Sequence, residues 1–131
     1  MQPIQLARIA ASAADEKKGI DPIVLDVSET LVITDAFVIT SATNRRQVLA
    51  LAQAIEEAVK ATGAPGPVAV EGLNEGSWVL LDFAGFVAHI FLDEVRAFYS
   101  LERLWGDAPR IAWEPHRADP LPERERVAVS Y

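Results

Sequence analysis

GLNEGSWVLLDFAGFVAHIFLDEVRAFYSLERLWGD, residues 72–107, is the stretch on which the fold turns. Within it, residues 78–83 and 86–92 are two short runs rich in Val, Ile, Leu and aromatics, separated by Ala84 and Gly85. That arrangement predicts an antiparallel β-hairpin. Asp93 and Glu94 then open a helical segment carrying Phe98, Tyr99, Leu101, Leu104 and Trp105. Two of the three Trp and four of the five Phe fall in this window, so most of the aromatic packing must be built from it. Side chains alternate along a strand. Trp78, Leu80 and Asp82 therefore face one way, and Val79, Leu81 and Phe83 the other. On the second strand, Phe86, Ala88 and Ile90 oppose Val87, His89 and Phe91. A face that sets Trp78 beside Asp82 is too mixed for a plain core. It reads as a surface for something else to cover.

Working outward, residues 3–18 predict a helix whose apolar stripe is Leu6, Ile9, Ala10 and Ala13, with Gly19 as its left-handed cap. Residues 23–27 read as a strand, and residues 28–35 fit either a loop or its extension. Residues 36–42 are almost continuously apolar, the pattern of a strand covered on both faces. Asn44, with Gln47 three residues on, begins a second helix with the stripe Val48, Leu51, Ala52, Ile55 and Val59, ended by Gly63. Residues 68–70 make a third strand ahead of the hairpin. The resulting α-β-β-α-β-β-β-α order predicts an α/β fold, a mixed sheet flanked by helices. Residues 1–108 form the domain. Residues 109–131 hold four of the eight prolines and no apolar period, and read as an extended or disordered tail to which residues 126–131 could at most add an edge strand.

With 131 residues, half of them apolar, the chain is one domain with a single core. A net charge of −7 disfavours phosphate-driven, direct sequence-specific nucleic-acid binding and favours a basic protein partner. The absence of cysteine excludes disulfides and thiolate metal sites, and a reducing cytoplasm is the expected location. No signal peptide is read at the N-terminus, and no run approaches the ~18 apolar residues of a membrane helix. No P-loop, GxGxxG, HExxH or GxSxG motif is present, so neither a catalytic residue nor a cofactor or metal site is assigned. His89 on a strand reads as a hydrogen-bonded structural residue rather than a general base. Arg45 and Arg46 at the second helix start read as solvated arginines, with an anion site as the alternative.

Some of these residues fall into a longer pattern. Gly76-x-Trp78-Val-Leu-Leu-Asp82, His89-x-Phe91 and Arg96-x-Phe98-Tyr99-x-Leu101-Glu102-Arg103-Leu104-Trp105-Gly106-Asp107-Ala108 resemble the signature of the ribosomal silencing factor family (RsfS, Iojap-like). Residues 35–39 resemble its central strand, and Asn44-x-Arg46-Gln47 its helix start. The resemblance runs from Ile4 to Ala108. Ala36 departs from it, standing where an aromatic is usual, as does the apolar turn at residues 83–85. The resemblance implies a nucleotidyltransferase-like fold without transferase activity. It also implies binding to a basic large-subunit ribosomal protein, the one usually numbered fourteen, which blocks joining of the small subunit and represses translation when nutrients are scarce. Trp78, Leu80, Asp82, His89, Tyr99, Leu101 and Trp105 are the candidate partner-binding residues. Two alternatives remain: a factor for large-subunit assembly, and a nucleotide-binding or nucleotidyl-transferring enzyme using Asp26, Asp35 and Asp82 on a metal. A homodimer is left open.

Overall fold

A computed structural model describes residues 1–114. Its elements are α1 (Pro3–Glu16), β1 (Ile20–Asp26), β2 (Ala36–Ala42), α2 (Arg45–Ala61), β3 (Ala69–Glu71), β4 (Trp78–Asp82), β5 (Phe86–Leu92), α3 (Asp93–Tyr99) and α4 (Leu101–Leu104). The strands form one mixed sheet in the order β1-β2-β5-β4-β3, with β2 and β5 parallel and the other neighbours antiparallel. β2 is buried at every residue, as its uninterrupted apolar run predicts. Among the described residues no helix is long and apolar enough to cross a membrane.

The hairpin follows the alternation in its sequence. Asp82 pairs with Val87, and the Phe83 N–H donates to the Phe86 carbonyl at 2.9 Å. Ala84 takes a φ of 73° at the turn, and its N–H donates to Asp82 Oδ1 at 2.8 Å. One sheet face carries Val79, Leu81, Phe86, Ala88 and Ile90 into the main core, under α1 and α2. α2 presents the expected stripe, and its Asn44 side chain accepts from the Gln47 N–H. The Gln47 amide does not reach back to close a capping box; it donates to the Lys17 and Lys18 carbonyls at 3.1 and 3.3 Å, tying the two helices together.

α1 differs from its expected register by one residue. Its buried face is Ala7, Ala10, Ala11 and Ala14, while Leu6 and Ile9 sit at the margin. Large apolar residues dominate a periodicity count, but a gap shared with α2 and the sheet admits only methyl groups at the centre. The left-handed residue after α1 is Lys18, φ 69°, not Gly19. Gly19 is required for a different reason: a Cβ there would lie 2.7 Å from the Thr40 hydroxyl and 2.9 Å from the Ala14 carbonyl oxygen.

Helices flank the sheet unequally. On the second face Ile23, Leu25, Val27, Phe37, Ile39 and Phe91 form a smaller cluster, capped by Val95, Leu101 and Trp105 from the region of α3 and α4. The single aromatic helix expected after the hairpin is broken at Ser100, which adopts φ 50° and ψ 54°. Residues 28–35 are a loop rather than a strand extension, with Val32 and Ile33 almost fully exposed. At the sheet edge, residues 109–114, which the sequence reading assigned to a tail beyond the domain, are laid on β1. The Asp26 N–H donates to the Pro109 carbonyl at 2.8 Å, the Ile111 N–H to the Val24 carbonyl at 2.9 Å, and Trp113 Nε1–H to the Pro22 carbonyl at 2.9 Å. Ile111 and Trp113 pack on the main core. Pro115, His116, Pro120, Pro122 and the 126–131 edge-strand candidate lie outside the described residues.

Candidate docking face

The second sheet face is covered at its β1–β2 side and only partly covered over β4. Trp78, Leu80, Asp82 and Val87 are only half-buried there. Cross-strand pairing sets Trp78 against Phe91 and Leu80 against His89. Trp78 is not the freely exposed anchor that the strand pattern alone would suggest. Its ring centroid lies 4.8 Å from that of Phe91 and 4.9 Å from that of Tyr99. Its Nε1–H donates to His89 Nδ1 at 3.2 Å.

That bond settles the histidine's protonation. Nδ1 accepts, so the neutral ring carries its proton on Nε2. Burial holds the pKa down at about 4, because a charged imidazolium would lose its hydration there. The other nitrogen, Nε2, has no hydrogen-bond partner among the described residues. His89 also meets Phe37 edge-on at 4.8 Å, and Phe37 meets Trp105 edge-on at 5.5 Å. Tyr99, Trp78, His89, Phe37 and Trp105 therefore form one chain of ring contacts, which brings together four of the seven candidate residues. Phe37 is the link that strand periodicity could not supply, since it reaches the chain only through the parallel pairing of β2 with β5.

Leu80 stands between two grooves. One, of about 530 Å³, runs past Trp78 and Tyr99 to the carboxylates of Glu71 and Glu75. The other, of about 430 Å³, is lined by Leu80, Asp82, Val87 and His89 together with Leu31, Thr34 and Phe37. The seven candidates thus divide by position. Trp78, Leu80, Asp82, His89 and Tyr99 line the two grooves beside Leu80, Leu101 and Trp105 do not, and Trp78, Leu101 and Trp105 pack against the smaller cluster.

Arg96 is the residue whose role sequence reasoning missed. It is 6% exposed on α3. Its guanidinium donates to the Ile20 carbonyl at 2.9 Å, the Asp21 carbonyl at 2.9 Å, Ser41 Oγ at 3.1 Å and Glu102 Oε2 at 3.2 Å. The cause lies in β1, whose pairing shifts register between Ile20 and Ile23. Pro22 has no N–H, Asp21 takes φ 43°, and the carbonyls of this irregular stretch are met by Arg96. A planar, always-charged group with five donors suits that task better than lysine. Arg96 thereby fixes where α3 and α4 stand, and with them Tyr99.

The remaining polar candidates are committed locally. Arg45 donates to the Asn74 and Glu75 carbonyls at 2.6 and 3.2 Å, clamping the 72–77 turn, rather than facing outward for an anion. Asp26 accepts from the Ser28 hydroxyl and N–H at 2.6 and 3.0 Å, which holds its pKa below the usual carboxylate value. Among the described residues no group of three His, Asp or Glu side chains could hold a metal ion.

The family model described as "Ribosomal silencing factor during starvation" matches residues 1–129 of the chain. A Bacillus subtilis protein named ribosomal silencing factor RsfS is 36% identical over 109 residues, 83% of this chain and 92% of that protein. A crystal structure of a Chromobacterium violaceum protein superposes with a TM-score of 0.77 at 34% identity, covering 81% of this chain and 88% of the other. A mouse protein named for mitochondrial assembly of the ribosomal large subunit is 33% identical over 87 residues, 65% of this chain and 38% of its own length.

Proposed function

The chain belongs to the ribosomal silencing factor family, and from that premise we propose that it docks on a basic large-subunit ribosomal protein, the one usually numbered fourteen, and blocks joining of the small subunit. One observation carries the reading: over β4 the second sheet face keeps aromatic and acidic side chains only partly covered, while α1 and α2 pack over the opposite face. Tyr99 at 51% exposure, Trp78 and Leu80 offer contact area, with Glu71, Glu75 and Asp82 around them. Acidic groups at the rim speed the encounter with a basic partner, and aromatics at the centre hold it. The role is non-catalytic and cytoplasmic. Asp26 and Asp82 each cap a turn, which argues against the metal-bound nucleotidyl-transfer alternative.

Titration against the isolated ribosomal protein tests the reading. Tyr99→Ala should weaken binding at least tenfold, a typical effect for an interface aromatic, while leaving the melting temperature within about 2 °C. Asp82→Asn keeps an oxygen for the Ala84 N–H and removes only charge, so it should weaken binding more at low salt than at high salt. If both folded variants bind like the parent, the docking face lies elsewhere. The mouse relative's name favours a second reading, a large-subunit assembly factor using the same surface. A protein that binds large subunits yet leaves subunit joining unaffected would decide for it.

A further inference from the structure

Four of the chain's twelve lysines and arginines meet at one corner of a protein whose net charge is −7. Lys17 and Lys18 follow α1, Arg45 and Arg46 open α2, and all four are exposed. The Gln47 amide, which donates to the Lys17 and Lys18 carbonyls at 3.1 and 3.3 Å, holds the two helix ends together. At about 100° per residue, Arg46 falls between Arg45 and Gln47 on the surface of α2, so the cations form one arc. Arg45 is clamped on the Asn74 and Glu75 carbonyls. Lys17, Lys18 and Arg46 have no ion-pair partner among the described residues.

This placement opposes two other requirements of the protein. No acid stands in the first turn of α2, where the helix dipole favours one and disfavours Arg45 and Arg46. The 72–77 turn that Arg45 grips also lines the groove of about 530 Å³, through Gly72, Glu75 and Ser77. Cations bordering that groove slow the approach of a basic partner. Residues that oppose both the helix and the encounter fit a ligand of negative charge.

We propose that Lys17, Lys18 and Arg46 contact the phosphate backbone of the large subunit's RNA beside the docked ribosomal protein. The inference rests on the docking reading above and extends it to a second surface and a second class of partner. On a ribosomal subunit a basic protein is bordered by RNA. A factor docked at such a border meets the protein with an acidic face and the phosphates with a basic corner. Ammonium and guanidinium groups bond phosphate oxygens without reading bases, so the contact carries no sequence preference. The net charge of −7 keeps free RNA away. Docking brings the corner against the phosphates, and the contact then forms within one complex, at a high effective concentration.

Lys17→Gln with Arg46→Gln is the diagnostic variant. Lys18 keeps its side chain, because its φ of 69° couples any substitution there to folding. Melting should stay within about 2 °C of the parent, since neither side chain has an ion pair to lose. At about 50 mM salt, binding to isolated large subunits should weaken about tenfold, while binding to the isolated basic ribosomal protein should hold or tighten. Two lost phosphate contacts also flatten the salt dependence. Between about 50 and about 200 mM salt the parent should lose about tenfold more subunit affinity than the variant. Arg8→Gln with Lys60→Gln, an equal change of charge away from the corner, should leave both affinities near the parent's. The chain has no cysteine, so Ala50→Cys, exposed one turn beyond Arg46, can carry a photo-crosslinker that should label RNA on the docked subunit.

If the double variant binds subunits like the parent with an unchanged salt slope, the corner is only solvated and the proposal falls. An equal loss from the Arg8 and Lys60 control reduces the effect to net charge. An equal loss on the isolated protein assigns the corner to that protein. Either result overturns the proposal, as does crosslinking to protein alone. A parent that binds subunits through the corner but fails to bind the isolated ribosomal protein defeats the docking reading and leaves the RNA contact. A parent that binds neither ends both.

Discussion

His89 shows how one side chain serves two purposes here. As an acceptor it orders Trp78; as a buried neutral ring it makes the fold sensitive to acid. Its folded pKa of about 4 lies below the ordinary 6.5. Between these values the unfolded chain takes up a proton that the folded chain refuses. The contribution is therefore fully present above pH 6.5 and is lost as the pH falls towards 4. Linkage puts the loss at about 3 kcal/mol. Urea unfolding of the parent at pH 7 and pH 4.5 should show this loss beyond that of a His89→Phe variant, which has no imidazole to titrate. Equal acid sensitivity in the two proteins would place the titrating group elsewhere. The sequence marked His89 as a lone histidine on a strand, and its reading as a structural, hydrogen-bonded residue agrees with the Nδ1 bond. The burial of Nε2 without a partner among the described residues was not legible, because the walls around it come from Phe37 and the 28–35 loop, about fifty residues upstream.

At the scale of elements, the long amphipathic stripe of α2 and the alternation in the hairpin were readable because each buries a full face against one neighbour. α1 and the last helix were less so. The α1 register follows from the narrow space under α2, which selects alanines over Leu6 and Ile9. The last helix breaks at Ser100, whose N–H and hydroxyl donate to the Arg96 and Ala97 carbonyls at 2.7 and 2.8 Å and whose left-handed backbone redirects the chain. That geometry tolerates glycine and penalises a β-branched side chain. Ser100→Gly should stay within about 0.5 kcal/mol of the parent, its loss of the hydroxyl bond offset by relief at Cβ, whereas Ser100→Val should cost about 2 kcal/mol. Chemical denaturation checks both. A valine variant as stable as the parent would mean that α3 and α4 can merge into one helix.

For the whole molecule, the free edge of β1 is the part that the C-terminal stretch completes. Two backbone hydrogen bonds, the Trp113 bond to Pro22 and the packing of Ile111 depend on residues 109–114. A chain ending at Glu114 should melt like the full one, since clustered prolines and the lack of apolar period give the rest little to bury. A chain ending at Arg110 loses Ile111 and Trp113 and should melt lower by roughly 5 °C or more. Equal melting of all three chains would show that the edge needs no cover. The proline content pointed to a boundary near residue 108, but composition could not reveal that the first six residues beyond it dock. Their hydrogen-bond partners are backbone carbonyls and N–H groups of β1, which leave no trace in the choice of residues, and Ile111 and Trp113 are too few to make an apolar period.

The sequence by itself determined the class of fold, the order of elements up to the last helix, the two faces of the hairpin and the resemblance carried by residues 96–108. These are local: a period of two or 3.6 residues, a cap or a turn pair is written within a few positions. Only the tertiary structure decided which candidates meet. It placed Phe37 between His89 and Trp105, spent Arg96 on the carbonyls of an irregular strand, left the face over β4 partly uncovered and buried His89 Nε2 and Thr34 Oγ1 without a partner among the described residues. Each of these depends on pairings between residues about fifty or more apart in the chain. Side-chain chemistry states what a residue can bond; where its partner stands is set by the packing of every other element.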